Sequence, residues 1–402
     1  MLSSLLSQLS SSLFGSHRPI IATVGGYAGT GKTTLIGELR RELLRLKPRS
    51  TVAFVTFTGK ASSVLKNKLE MSDALYEVDY CGTIHGLIYA PITIWDKQLQ
   101  THIVVNWSLK EEDSLEYYDV IIIDEASMVS QEIWSDLVSF GKPIIAFGDH
   151  GQLPPINDNG FNLMKNPNFT LTEIHRQSLD SPIIKLSKIV REEGHIPFGF
   201  QSNEVFKLSW NDPICKNIWE KKVNFEENEL VVLCGFNTTR ANLNDMIREK
   251  LGYREPSPYP NEKIVCLSNN HNIKIMNGQI GKVLWLMADD HSYRITVEID
   301  NGVYECFVSK KCFGEVAYTM YDKSKKSKSL YEYAIEQGFS RVDFFDYGYV
   351  ISVHKSQGSE WDKVILFEQR TQRWDDEYYA KWLYTAITRS RQKLFVISNA
   401  WI

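Results

Sequence analysis

Gly26-Tyr27-Ala28-Gly29-Thr30-Gly31-Lys32-Thr33-Thr34 is the stretch on which the reading of this chain turns. It follows an apolar run, Pro19-Ile20-Ile21-Ala22-Thr23-Val24, with the make-up of a buried strand. It precedes Leu35 to Leu44, where apolar residues recur at helical spacing. Strand, glycine-rich loop and helix, in that order, are the context of a phosphate-binding P-loop. The glycines let backbone N–H groups turn inward with no Cβ in the way, making a concave nest for an anion. The helix N-terminus adds partial positive charge at the same point. Lys32 is expected to reach the β- and γ-phosphates, and the Thr33 hydroxyl to hold Mg²⁺. Gly26, Ala28, Gly29, Thr30, Gly31 and Thr34 complete the expected nucleotide cradle.

The totals set bounds on the rest. A chain of 402 residues has room for two or three domains with cores of their own. Hydrophobic content of 43% and charged content of 23% are those of a soluble globular protein. No apolar run approaches the roughly 20 residues that a bilayer span requires. Met1 to Phe14 is rich in serine and leucine and lacks a positive leading segment, so no secretory signal is expected. The six cysteines stand far apart without C-x-x-C spacing, which speaks against a disulfide scaffold or zinc site and fits a reducing cytoplasm. A net charge of −4 supplies no global field for a nucleic acid, so any such binding must use a local groove.

Leu2, Leu5, Leu6, Leu9 and Leu13 recur as on an amphipathic helix ahead of the P-loop strand. Thr51 to Phe57 reads as the next strand and runs into Thr58-Gly59-Lys60, a polar loop at a carboxyl strand end, where α/β sheets hold ligands. Thr83-Ile84-His85 follows, a weak signal by itself. Ile92 to Trp95 and His102 to Trp107 are β-rich runs about a polar turn; they read as an inserted hairpin, with Trp95 and Trp107 available for packing or stacking.

Val120-Ile121-Ile122-Ile123-Asp124-Glu125 is the second decisive element. A continuous β-branched run ending in two carboxylates is a buried parallel strand delivering acids to its carboxyl end. Asp124 suits water-mediated Mg²⁺ coordination and Glu125 suits polarising an attacking water. Pro143 to Asp149 is a further strand, running into His150-Gly151-Gln152-Leu153-Pro154-Pro155, from which Gln152 is placed to sense a γ-phosphate. Leu171 to Gln177 then brings Arg176 near the end of the first domain.

A boundary is expected near Ser178 to Pro182, followed by an apolar helix from Ile183 to Val190. Glu229 to Phe236 is again a buried strand, and Asn237-Thr238-Thr239-Arg240 opens a helix through Arg248. Pro256, Pro258 and Pro260 break the chain. Lys263 to Phe345 shows short strands with turn signals and reads as a small β-barrel insertion. Lys323, Lys325, Lys326 and Lys328 within it read as a solvated loop. The α/β pattern resumes at Tyr347 to Val353, then His354 to Trp361, a strand Lys363 to Phe367, a helix Leu383 to Arg391 and a last strand Lys393 to Ile397.

Gly26 to Thr34, Asp124 to Met128, Gly148 to Pro155, His175-Arg176-Gln177, Val353 to Trp361 and Tyr384 to Arg391 stand in an order that resembles the superfamily 1 DNA helicases, in the group with RecD-like and Dda-like enzymes. The resemblance implies two RecA-like P-loop domains with parallel sheets, 1–180 and 181–262 with 346–402. It also implies a hairpin insertion at about 88–108 in the first and an SH3-like accessory insertion at 263–345 in the second. It implies ATP with Mg²⁺ held between the domains, and Arg176 and Arg389 as arginine fingers. By the same resemblance His175 takes the place of a residue stacking on the adenine, and Glu360 lies near the ribose. Thr58, Gly59, Lys60, Thr83, His85, Asn237, Thr238, His354 and Lys355 would hold the sugars and phosphates of a single strand, with low sequence preference. Trp95 and Trp107 would belong to the wedge that splits a duplex, and movement would run 5′ to 3′. The expected partners are single-stranded DNA and duplex junctions, met by a monomer in the cytoplasm. An RNA track, or a helicase-like binding subunit without unwinding activity, stays open.

Overall fold

The computed structural model describes residues 7, 20–96, 101–155, 161–173, 180–197, 202–270, 273, 275–290, 292–300, 302–315 and 342–398. The expected helix at Leu2 to Leu13, the pair His175 and Arg176, and the lysine run from Lys323 to Lys328 therefore lie outside the described residues. Two compact units divide the chain between Lys185 and Leu186, inside a helix and a few residues after the expected boundary.

In the first unit the apolar runs become a six-stranded, all-parallel sheet. Its strands are β1 (Ile21–Gly26), β2 (Val52–Thr56), β3 (Tyr80–Thr83), β6 (Val120–Asp124), β7 (Ile144–Gly148) and β8 (Phe169–Leu171), in the order β3-β2-β6-β7-β1-β8. Every residue of β2, β6 and β7 is buried. The reason lies in the pleat, which sends alternate side chains to opposite faces. Val52, Phe54, Val120 and Ile122 join one core with Ile36, Leu39 and Leu43 of helix α1 (Lys32–Leu46). Ala53, Val55, Ile121 and Ile123 join a second core on the other face. Helices α2 (Gly59–Met71), α3 (Ile84–Ile88) and α4 (Gln131–Ser139) complete the layers. Among the described residues, strands β4 (Tyr89–Asp96) and β5 (Thr101–Leu109) pair only with each other, at the place of the expected hairpin.

The second unit opens with the end of α5 (Pro182–Glu193) and contains α6 (Pro213–Asn217). Strands β9 (Val205–Ser209), β10 (Leu230–Cys234), β16 (Val350–Ser352), β17 (Trp361–Phe367) and β18 (Ser390–Ser398) form a parallel sheet in the order β16-β10-β17-β18-β9. The edge strand β9 had no signal in the sequence reading, because only alternate residues of it are buried. Between β10 and β16 the chain builds an antiparallel sheet from β11 (Lys263–Cys266), β12 (Ile280–Ala288), β13 (Ser292–Ile299), β14 (Gly302–Ser309) and β15 (Phe345–Tyr347). One core joins the two sheets, with Trp219, Val232 and Phe367 at one end and Tyr293, Val297 and Phe345 at the other. Helix α7 (Asn237–Lys250) is pinned beside it by two buried ion pairs, Arg240 with Asp346 and Arg248 with Glu262. The expected last helix is α8 (Asp376–Ile387); it stops before Arg389, and β18 starts at Ser390. Among the described residues no helix is long and apolar enough to cross a membrane.

Candidate nucleotide and nucleic-acid site

Strands β1, β6 and β7 run parallel in register, with Gly25 opposite Gly148 and Ile123 opposite Ala146. Their carboxyl ends therefore deliver the P-loop, Asp124 and Asp149 to one edge of the sheet. In the P-loop, Gly29 and Gly31 hold φ of 78° and 80°, a left-handed backbone that a side chain rarely tolerates. A Cβ at Gly26 would sit 2.6 Å from Thr30 Oγ1. That hydroxyl donates to Tyr27 O at 2.7 Å and closes the loop on itself. Gly31 caps α1 without any side-chain bond, so the first amides of the helix are left for a ligand. Thr33 is half-buried at that helix start and Thr34 is exposed.

Lys32 folds back over the loop. Its ammonium donates to Gly26 O at 2.7 Å and Tyr27 O at 3.1 Å, and lies 4.0 Å from Asp149 Oδ2. Asp124 is 9% exposed; burial pushes its carboxyl up, and the charge of Lys32 opposes that. Its Oδ1 accepts from the Glu125 amide at 2.9 Å. Glu125 itself holds a φ of 56°, a strained backbone for a residue with a side chain, next to the carboxylate that ends β6. A threonine hydroxyl and a buried carboxylate form a hard oxygen donor set, which fits Mg²⁺ better than a softer metal. Among the described residues no cluster of His, Cys, Asp and Glu offers a rival metal site.

The turn after β7 completes the group. Asp149 is 1% exposed and its Oδ1 accepts from Gly151 N at 2.9 Å. Gln152 is also buried, and its Oε1 meets no hydrogen-bond partner among the described residues. Asp149 has no role in the sequence reading: it follows Ala146-Phe147-Gly148, a weaker mark than the β-branched run that ends at Asp124.

The residues expected on a nucleic acid sit at strand ends as well. Thr58 caps α2, its Oγ1 accepting from Ala61 N at 3.2 Å; Gly59 is buried and Lys60 half-buried. Thr83 caps α3 in the same way, with Gly86 N at 3.1 Å. His85 packs its ring 4.8 Å from Trp107, edge to face. Trp107 is thus at the root of the hairpin, near the end of β5, and not at its tip; the side chain of Trp95 lies outside the described residues. In the second unit Asn237 and Thr238 are exposed at the start of α7. His354 Nε2 lies 2.7 Å from the Tyr378 hydroxyl, and burial holds its imidazole below the usual range. Burial, aided by Arg240, pulls the Lys355 ammonium down to about 8. Glu360 is exposed just before β17. Arg389 is 3% exposed, in the turn between α8 and β18, and donates to Thr385 O at 3.0 Å and Ser359 O at 3.1 Å.

These features define a P-loop nucleotide-binding protein with a second parallel α/β sheet. Residues 14–158 match the AAA domain family and residues 347–397 the UvrD-like helicase C-terminal domain family. The chain is 23% identical to the ATP-dependent DNA helicase dda of Enterobacteria phage T4, over 93% of this chain and 94% of that protein. It is 24% identical to the ATP-dependent RecD2 DNA helicase of Deinococcus radiodurans, over 70% of this chain but only 37% of that longer protein. The fold also matches a Bacteroides Pif1 helicase crystallised with ADP-AlF3 and single-stranded DNA, at 19% identity and a TM-score of 0.52, covering 100% of this chain and 92% of that one. The two family matches and these relatives support reading the chain as a superfamily 1B helicase.

Proposed function

We propose that this chain is an ATP-dependent DNA helicase that moves along single-stranded DNA, 5′ to 3′, and separates the duplex it meets. The observation that carries the reading is the gathering of Lys32, Asp124, Asp149 and Gln152 beside the P-loop at one sheet edge. Thr33 and Asp124 would hold Mg²⁺, which when bound would supply positive charge against the phosphates. The glycine loop and the free amides of α1 bind and orient the triphosphate. Lys32 already carries the positive charge to the site, and binding needs only that it exchange carbonyl acceptors for phosphate oxygens. Glu125 orients and takes a proton from the attacking water, and Gln152 reports on the γ-phosphate. Arg176 and Arg389 act as arginine fingers on the developing charge, His175 meets the adenine and Glu360 the ribose.

In the same reading Thr58, Gly59, Lys60, Thr83 and His85 grip the strand from the first unit, and Asn237, Thr238, His354 and Lys355 from the second. ATP binding and loss shift the two grips between states, and the strand advances. The hairpin of β4 and β5 is the wedge, and the antiparallel sheet is the SH3-like accessory domain. The test is hydrolysis. The unmodified chain should hydrolyse ATP faster with single-stranded DNA present. Lys32→Ala should abolish that stimulated hydrolysis while strand binding remains measurable by fluorescence anisotropy. Unchanged hydrolysis in Lys32→Ala would remove the P-loop from the mechanism.

A further inference from the structure

Tyr27, the second residue of the P-loop motif, faces His150, in the turn that carries Gln152. Their ring centroids lie 4.1 Å apart, tilted by 48°, and both residues are half-buried. The approach depends on a glycine. A Cβ at Gly25 would fall 2.6 Å from Pro167 Cγ and 3.0 Å from His150 Nδ1, so a side chain there would crowd both rings.

The backbone of Tyr27 is as busy as its ring. Its carbonyl accepts from Lys32 Nζ at 3.1 Å, from Thr30 Oγ1 at 2.7 Å and from Thr30 N at 3.3 Å. On the other side of the contact, His150 stands between Asp149, which faces Lys32 at 4.0 Å, and the turn closed by Gln152 N donating to Asp149 O at 3.2 Å. Phosphate loop and Gln152 turn are thus joined twice, once by charge and once by a tilted ring contact.

We propose that Tyr27 and His150 form a positioning pair that ties the state of the P-loop to the placement of Gln152. This rests on the ATP-hydrolysis reading above. When a triphosphate enters, Lys32 must leave the carbonyls of Gly26 and Tyr27 for phosphate oxygens, since those carbonyls hold it back over the loop. The residue that loses this ammonium is the one whose ring holds His150. The loop's response to nucleotide therefore passes through the ring contact into the turn, and Gln152, whose buried Oε1 has no hydrogen-bond partner among the described residues, is moved to meet the γ-phosphate. Neither ring touches the reacting atoms. Their part is to hold the turn at the right distance, and small misplacements are costly in rate.

The test is a double-mutant cycle on the full chain with Tyr27→Ala, His150→Asn and the double variant, plus Tyr27→Phe, which keeps the ring. Strand-stimulated hydrolysis gives kcat and KM, a fluorescent ATP analogue gives nucleotide affinity, and thermal unfolding reports the fold. Each single variant should lower kcat about tenfold with affinity held within about twofold, and the double should be no slower than the slower single. Tyr27→Phe should match the parent. If Tyr27→Ala does not fold, Tyr27→Leu, which also removes the ring, takes its place in the cycle. Parent-like kcat in His150→Asn, multiplicative losses in the double, or equal losses of affinity and kcat would overturn the pair while leaving ATP hydrolysis intact. A parent chain with no strand-stimulated hydrolysis would overturn the proposed function itself.

Discussion

Arg40 shows what a single residue can hold at stake in this fold. Its guanidinium is fully buried, donates to both oxygens of Asp79 at 2.9 and 3.0 Å and to Ser50 Oγ at 3.0 Å, and lies over the Tyr76 ring. Removing one partner leaves a charge with no water to solvate it. Asp79→Ala should therefore cost about 3–5 kcal/mol in urea unfolding, far more than an exposed pair such as Arg370 with Asp376. At the site, Glu125→Gln should lower turnover by about 10²–10⁴-fold while nucleotide affinity stays near the parent value, because a general base acts on the rate and not on the ground state. A parallel loss of affinity would assign Glu125 to binding instead. The places of Lys32, Thr33, Asp124 and Glu125 at element ends were legible in the sequence, because the apolar runs that build β1 and β6 stop there. The Tyr27 to His150 contact joins residues far apart in the chain, which no local pattern reveals.

Among the elements, long strands buried on both faces were easy to read: β1, β2, β6, β7, β10 and β17 all appear where apolar runs predicted them. Elements that lean on neighbours were not. β3 has only Thr83 fully buried, and β9 only Val205 and Lys207. The helix expected through Arg391 ends at Ile387, since Trp361 N donates to Arg389 O at 2.9 Å and draws the chain into β18. Lys263 in β11 also gave no warning, as a lysine in a strand usually faces water. Here it is 2% exposed and donates to Leu230 O at 3.0 Å and to Glu227 O. Burial pulls its ammonium from the usual 10.5 down to about 7. Between those values the unfolded chain holds the proton and the folded chain does not, so stability should rise with pH across that window, by at most about 1.4 kcal/mol per unit. Lys263→Met should flatten that slope in denaturant unfolding at successive pH values. A slope unchanged in the variant would assign it to other groups.

For the whole molecule, each unit contains a parallel α/β sheet with motif residues at carboxyl strand ends, and this much was written in the order of the motifs. The hairpin was legible as an element, but the position of Trp107 at its root, against His85, was not, because register and turn length decide which residue reaches a hairpin tip. ATP hydrolysis on the first unit is proposed to drive the chain along a single strand. Unwinding of partial duplexes with either a 5′ or a 3′ single-stranded tail, in Mg-ATP, tests it most directly. Strand separation is expected from the 5′-tailed substrate alone, and is lost in Lys32→Ala; separation from the 3′ tail alone would reverse the proposed direction, and separation from neither would rule out the motor.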